Sequence, residues 1–276
     1  MNFTRSTKQF MLLFILACII VVTDCAGIGI NKPAAVPQTN PVNLEDYLTS
    51  QDLTNDISLI PPPPSAGSVA FALDEEISQK NLALRGTPRW TLATEDANLE
   101  FPQAAGIFSC ALNAPITEQD TPHLYNLLRR TCIDAGNSTS MAKKYYSRPR
   151  PFMVNREPTC TPNAENVLIK NGSYPSGHSA VGWAWALILS EIDPEHTDAI
   201  IARGKAFGQS RMICNVHWQS DVIGGSFMGA ITVARLHANA IFRSDVEAAK
   251  AELAAVRAKG LKPVRDCAAE TAAMAN

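Results

Sequence analysis

Apolar residues recur along most of this chain at the three- and four-residue spacing that places them on one face of a helix. Start and stop signals support the same interpretation: Thr121 and Pro122 supply a cap and a proline at the first helical position, and Gly260 follows the last apolar repeat. No stretch shows the sustained alternation of a β-strand. The pattern predicts an all-α fold, a single helical bundle over residues 68–262 followed by a C-terminal tail over residues 263–276.

The helices can be placed approximately along the chain. They are Ala70 to about Leu84; Pro122 to about Asp134; a short helix, capped by Ser138 or Thr139, that carries Lys143 and Lys144; Ser179 to Ile192, apolar nearly all round; Pro194 to about Met212; His217 or Gln219 to Phe242; and a last helix opened by a capping box at Ser244 to Glu247.

The N-terminal segment differs from the rest of the chain. Arg5 and Lys8 precede an unbroken apolar stretch from Phe10 to Val22, and small residues follow. This is the pattern of a secretory signal peptide, assigned to residues 1–26, with a retained membrane anchor as the alternative. It predicts a periplasmic or secreted protein.

The cleavage point and the segment after it are less sharply defined. The segment Val22 to Cys25 loosely resembles a lipoprotein processing site, but Asp24 fits poorly just before the cysteine. Ordinary cleavage near Cys25 or Ala26 is therefore preferred to lipidation. Residues 27–67 are proline-rich and include the run Pro61 to Pro64. They predict an extended N-terminal arm or packing strap.

The charge balance limits the classes of partner. Loss of the leader removes Arg5, Lys8 and Asp24 from 24 basic and 26 acidic residues, which leaves 22 and 25 and a net charge of −3. This value favours neither a nucleic-acid partner nor an anionic membrane. The apolar helix at Ser179 to Ile192 is too short to cross a bilayer, so no integral membrane span is expected in the mature chain. A small-molecule partner is expected, and a homo-oligomer is possible.

Five cysteines follow the leader, and an exported chain meets an oxidising compartment, so disulfides are expected. The first predicted pair is Cys160 with Cys214, because each lies close to a polar motif and a bridge would tie those loops. The second is Cys110 with Cys132, which leaves Cys267 free. Sequence alone does not fix this connectivity.

Three short segments concentrate the polar chemistry: Lys143 to Pro151, Pro175 to His178, and Ser210 to Asp221. They contain cations, histidines, one aspartate, glycine and serine, without a carboxylate cluster that could hold a metal. Guanidinium and ammonium groups match phosphate oxygens, and histidine titrates near working pH. The inventory predicts chemistry on a phosphate ester with neither a metal nor a cofactor.

The phosphate-binding group can be named from residue type. Arg150 and Arg211 offer planar forks, and Lys143 adds a point charge. Ser176 and the Gly177 amide stand at a predicted helix start, where free N–H groups favour an anion. All five are predicted to bind the phosphoryl group.

The catalytic residues are predicted from spacing. His217 is the predicted nucleophile, and Asp221, four residues later, would accept from one ring nitrogen and fix the tautomer. His178 is predicted as the general acid for the leaving oxygen. The acid pairs Asp74-Glu75 and Glu95-Asp96 are interpreted as solvated or helix-capping.

Together these segments resemble the signature of the type 2 phosphatidic acid phosphatase superfamily, Lys-x6-Arg-Pro, Pro-Ser-Gly-His and Ser-Arg-x5-His-x3-Asp. The first spacing selects Arg150 over its neighbour Arg148. The wider run Gly172 to His178 is similar, more narrowly, to the bacterial class A nonspecific acid phosphatases, as are Thr87 to Asn98 and Phe108 to Pro115. The likeness covers roughly residues 45–260.

The resemblance implies the all-α fold of that superfamily, with the site at helix ends, and the same acid role for His178. The leading hypothesis is an exported, metal-independent acid phosphatase of broad specificity that hydrolyses phosphomonoesters through a phosphohistidine on His217. Three alternatives remain: a vanadate-dependent haloperoxidase, a lipid phosphate phosphatase, which would need several membrane spans, and a non-catalytic periplasmic phosphate-binding protein.

Overall fold

The computed structural model describes residues 46–53 and 56–275, and all regular elements within them are helices, as predicted. The predicted signal peptide, Cys25 and residues 27–45 of the arm lie outside the described residues. Within the described part, none of the helices combines the length and apolar character needed to cross a membrane.

The α-helices are α1 (Val69–Asn81), α2 (Pro88–Glu95), α3 (Ser109–Leu112), α4 (Pro122–Ser138), α5 (Ser140–Tyr146), α6 (Pro151–Asn155), α7 (Glu165–Leu168), α8 (Gly177–Ile192), α9 (Thr197–Ile213), α10 (Gln219–Leu236), α11 (Ala240–Ala258) and α12 (Cys267–Met274). Short 3-10 helices cover Asp56–Leu59, Leu82–Leu84, Gln103–Phe108, Pro162–Ala164 and Pro194–His196.

Helix α8 forms the centre of the bundle. It packs against α4, α9 and α10, and α11 covers α4 from outside. Its apolar residues are buried on nearly every side, which explains why the sequence shows no polar face. Trp185 is fully buried and its indole N–H donates to the Leu128 carbonyl at 3.0 Å, so even the polar atom of this large side chain is satisfied.

Helices α8 and α10 approach each other closely because α10 carries glycine at the contact. A Cβ at Gly225 would overlap with the Ser176 carbonyl, and one at Gly229 with the Ala180 carbonyl. The Ser176 amide also donates to the Asp221 carbonyl at 2.9 Å. The first turns of α8 and α10, which carry two of the polar motifs, are thereby held side by side.

One predicted helix is wrong in its extent. The helix expected to continue to Phe242 ends at Leu236, and Asn239 caps a new helix by accepting from the amides of Ile241 and Phe242 at 2.9 and 3.1 Å. Ser244 consequently lies inside α11, and its predicted capping box is wrong. The asparagine side chain satisfies the free amides of the new helix without disturbing the apolar period.

The disulfides confirm one predicted pair and correct the other. Cys160 is bonded to Cys214, as predicted, but Cys110 is bonded to Cys267, with 5.4 Å between their Cα atoms. Cys132, its predicted partner, is free and lies in the middle of α4. The reason is tertiary: α12 folds back against α2, which brings the C-terminal segment to α3.

The described part of the proline-rich arm packs on the bundle. Tyr47 and Leu48 are buried, and their amides donate to the Asp134 carboxylate at 3.1 and 2.9 Å. Further along, the Pro61 carbonyl accepts from the Tyr174 hydroxyl at 2.6 Å. This part therefore behaves as a strap.

Candidate active site

Residues from the ends of five helices line one cavity of about 260 Å³. They include Lys143 from the last turn of α5, Arg150 just before α6, Gly177 and His178 from the first turn of α8, Arg211 from the last turn of α9, and His217 just before α10. The structure thus brings six of the eight predicted site residues to one surface. The other two, Ser176 and Asp221, are buried behind them.

The two arginines of the cavity are almost completely buried, each 2% exposed. Arg150 is held by backbone: its Nε donates to the Leu168 carbonyl at 3.0 Å and its Nη1 to the Val216 carbonyl at 3.0 Å. Arg211 is different, because its Nε and Nη1 have no acceptor among the described residues. A buried guanidinium needs an acceptor, and the oxygens of a phosphoryl group would supply it.

Lys143 completes the cationic group. Its Nζ donates to the Gly172 carbonyl at 2.9 Å. Burial, together with Arg150 and Arg211, lowers the pKa of Lys143 to about 7, although Asp221 opposes the shift. Burial likewise lowers the pKa of Arg150 to about 10 and that of Arg211 to about 9. Crowded, desolvated cations of this kind gain most from an anion that joins them.

His217 is held in one tautomer by Asp221. Its Nδ1 lies 3.3 Å from the Asp221 carboxylate, which also accepts from the Trp218 amide at 2.8 Å and from the Ser173 hydroxyl. Because a carboxylate can only accept, Nδ1 carries the ring proton. The Nε2 lone pair then faces Arg150 Nη1, 3.0 Å away. A nucleophilic nitrogen is thus directed at the place where the cations meet.

Asp221 is in turn fixed by a residue that sequence reasoning set aside. Arg148 donates to Asp221 at 2.7 Å and to Asp74 at 2.8 Å, and Asp74 accepts from the Ser220 amide at 2.9 Å. Asp74 is only 2% exposed, so its interpretation as a solvated acid is wrong, and it caps the first turn of α10 through the Ser220 amide. Burial raises the pKa of Asp221, and Arg148 is the strongest opposing influence.

His178 is oriented by a carbonyl group. Its Nε2 lies 3.0 Å from the Ala97 carbonyl, which can only accept, so Nε2 is protonated and Nδ1 remains for proton exchange. The residue before Ala97 is Asp96, which is fully buried and accepts from Ser210 at 2.6 Å and from Arg203. Asp96 therefore fixes the backbone just after α2, including the Ala97 carbonyl that orients His178. Its interpretation as a solvated acid is also wrong.

Without an anion, the surroundings of both histidines of the cavity favour the neutral imidazole. Burial lowers the pKa of each well below 6.5, and the surrounding cations lower it further. Neutral His217 is what a nucleophile requires. His178 needs a proton to act as an acid, and an anion seated among the cations would raise its pKa.

Ser176 serves the helix. Its Oγ accepts from the Ser179 amide at 3.2 Å and lies 2.9 Å from the Ser179 hydroxyl, so it caps α8. Its side chain does not line the cavity, whereas Gly177 does. Within the described residues, no three His, Cys, Asp or Glu side chains are grouped as a metal site would require.

The chain is similar in sequence to known proteins. Residues 123–243 match the PAP2 superfamily. The chain is 42% identical over 244 residues to a non-specific acid phosphatase of Providencia stuartii, a match that covers 86% of this chain and 98% of that protein. It is 41% identical over 216 residues to a non-specific acid phosphatase of Salmonella typhimurium, which covers 78% and 86% of the two chains. An acid phosphatase of Zymomonas mobilis is 40% identical over 202 residues, a match that covers 73% of this chain and 76% of that protein.

The chain therefore belongs to the PAP2 superfamily and, within it, to the bacterial non-specific acid phosphatases. It is an enzyme of the acid phosphatase class, as the three motifs indicated.

Asp74 provides a first test of the site. In Asp74→Asn, Arg148 loses one of its two carboxylates and Asp221 is held less firmly, so His217 is displaced. We expect kcat for p-nitrophenyl phosphate to fall by about tenfold or more with little change in KM. The exposed neighbour Glu75→Gln is the matched control. An unchanged kcat in Asp74→Asn would show that the hydrogen bonds from Asp74 through Arg148 to Asp221 do not position His217.

The low pKa of Lys143 gives a second test, with sulfate as an anion of constant charge. Above about pH 7 the free protein has a neutral Lys143, and sulfate binding must restore its proton. The affinity should therefore fall as pH rises from 7 to 9, by up to tenfold per pH unit for this one proton. Titration calorimetry measures the sulfate affinity at each pH. In Lys143→Met, the slope of the logarithm of the affinity against pH should be smaller than in the wild type by up to one proton. Equal slopes would place Lys143 outside the anion site.

Proposed function

We propose that this chain is an exported acid phosphatase of broad specificity that hydrolyses phosphomonoesters without a metal ion, through a phosphohistidine on His217. The observation that carries the proposal is the orientation of His217: Asp221 holds its Nδ1, and its Nε2 faces buried cations. A phosphohistidine requires a neutral imidazole nitrogen directed at phosphorus and positive charge around the phosphoryl oxygens.

The first step transfers the phosphoryl group to the protein. The phosphoryl oxygens bind to Lys143, Arg150 and Arg211. The Nε2 lone pair attacks phosphorus, the bond from phosphorus to the leaving oxygen breaks, and that oxygen receives the proton from His178 Nδ1. Asp221 stabilises the positive charge that develops on the ring of His217.

The second step returns the protein to its starting state. His178, now without its Nδ1 proton, accepts one from water while the water oxygen attacks phosphorus. The bond between phosphorus and Nε2 breaks, and its electron pair returns to His217. Inorganic phosphate is the product, and both histidines recover their original protonation states.

The acidic working range follows from His178. Its pKa lies well below 6.5 in the anion-free site, so the protonated fraction of His178 falls as pH rises through the acidic range. Broad specificity is supported by the cavity, whose further lining includes Leu99, Cys132 and Val181, side chains that provide little directional recognition of a leaving group. Export is supported by the leader pattern and by the two disulfides.

The proposal is tested by hydrolysis of p-nitrophenyl phosphate near pH 6, in the histidine titration range, with excess EDTA. We expect turnover that EDTA does not reduce. Folded protein that is inactive in EDTA and regains activity with a divalent cation would overturn the metal-independent mechanism. Folded protein that is inactive in both conditions would overturn the proposed hydrolysis.

A further inference from the structure

A second basic cavity lies beside the catalytic one. It has a volume of about 310 Å³ and is lined by Lys144, Ser147, Lys170 and Gly172, together with Ser140, Lys143 and Asn171. The last three residues also line the catalytic cavity, so the two cavities share a wall. Lys143, the predicted phosphate ligand, stands in that shared wall.

The new cavity is positively charged. Three lysines line it and no carboxylate does. Lys144 and Lys170 are exposed, and neither forms an ion pair with any residue that the structure describes. Cations gathered without counter-charge attract an anion.

The segments that carry the two free lysines are fixed against each other. Gly172 lies against the backbone of α5, where a Cβ would overlap with the Lys143 carbonyl. The Lys143 ammonium donates to the Gly172 carbonyl, and the Ser147 hydroxyl donates to the Lys144 carbonyl at 2.9 Å. The end of α5 and residues 170–172 are therefore held together as one wall of the cavity.

We propose that this cavity is a second anion subsite, which binds a phosphate carried by the leaving group of the substrate. The preferred substrates would then be bisphosphate esters, with the reacting phosphate on Lys143, Arg150 and Arg211 and the second phosphate on Lys144 and Lys170. The proposal rests on the proposed phosphatase function and adds a substrate class to it. Each exposed ammonium group adds only modest affinity. The subsite would therefore favour bisphosphates over monophosphates without excluding monophosphates.

The test compares fructose 1,6-bisphosphate with fructose 6-phosphate in the wild type and in Lys144→Ala/Lys170→Ala. Neither lysine lines the catalytic cavity. We expect kcat/KM for the bisphosphate to fall by about 3- to 20-fold and that for the monophosphate to stay within about twofold. Lys259→Ala/Lys262→Ala removes the same charge outside both cavities and should change neither value.

Binding without turnover separates this proposal from the proposed function. In His217→Ala, calorimetry should show tighter binding of the bisphosphate than of the monophosphate, and the two lysine substitutions should remove the difference. Equal affinities, or equal losses for both ligands in the double variant, would overturn the subsite. A wild type that hydrolyses neither sugar phosphate, yet shows the lysine-dependent difference in binding, would overturn the proposed function and leave the subsite supported.

Discussion

Replacing His217 by alanine is expected to abolish phosphatase turnover, with a fall in kcat of at least about 10⁴-fold. The reason is chemical: in the proposed mechanism, the side chain removed is the group that accepts the phosphoryl group. The remaining cations are expected to bind phosphate, but nothing in the altered cavity repeats the oriented Nε2 lone pair. Hydrolysis of p-nitrophenyl phosphate, followed at pH 6 with a high enzyme concentration, measures the residual rate.

Two controls make this result specific. His123→Ala changes an exposed histidine on α4 and should retain full activity. Sulfate binding and the melting temperature of His217→Ala should show that the fold and the cationic cradle persist. Retention of more than about a tenth of the wild-type kcat would contradict the role of His217 as nucleophile.

The second large effect is expected from His178→Ala, and it should depend on the leaving group. For an alkyl phosphate such as glycerol phosphate, kcat/KM should fall by about 10²- to 10⁴-fold, because the leaving alkoxide needs a proton. For p-nitrophenyl phosphate it should fall by less than about tenfold, because the phenolate leaves without protonation. The ratio kcat/KM reports the steps up to phosphoenzyme formation, so a later role of His178 as base does not obscure the comparison.

The ratio of the two losses distinguishes chemistry from structure. His178 stacks on Phe207, with 6.3 Å between the ring centroids, so its removal could also loosen the first turn of α8. A structural defect would lower kcat/KM for both substrates by the same factor. Equal losses would therefore reject His178 as the general acid, whatever their size.

Much of the site was predictable because its residues are close in sequence to helix ends. The four-residue interval from His217 to Asp221 spans the start of α10, and Ser176 to His178 form the start of α8. Local spacing fixes such contacts. The packing of α8 on α10 through Gly225 then brings the two starts together, and that step required the structure.

The supporting residues were not predictable for the opposite reason. Asp74 lies 147 residues before Asp221 in the chain, and Asp96 lies 82 before His178. An acidic pair on a helix has the same pattern whether it is solvated or buried against a distant arginine. Arg148 illustrates the same limit: only the fold shows that it serves Asp221 while Arg150 faces the cavity.

The pairing of Cys110 with Cys267 belongs to the same class of long-range feature. It joins positions 157 residues apart, and it depends on the return of α12 to α2. Cys132 is nearer to Cys110 in sequence, but it lies within α4 and is free. The helix break at Asn239 was missed because the apolar period continues through it.

The phosphohistidine itself is the central claim, and a rapid-quench experiment tests it directly. The wild type is mixed with excess substrate, stopped within milliseconds in alkali, which preserves phosphohistidine, and digested for mass spectrometry. We predict one added phosphoryl group on His217, lost on brief acid treatment and missing in His217→Ala. A wild type that turns over rapidly but carries no phosphoryl group, or carries it on a different residue, would contradict the mechanism.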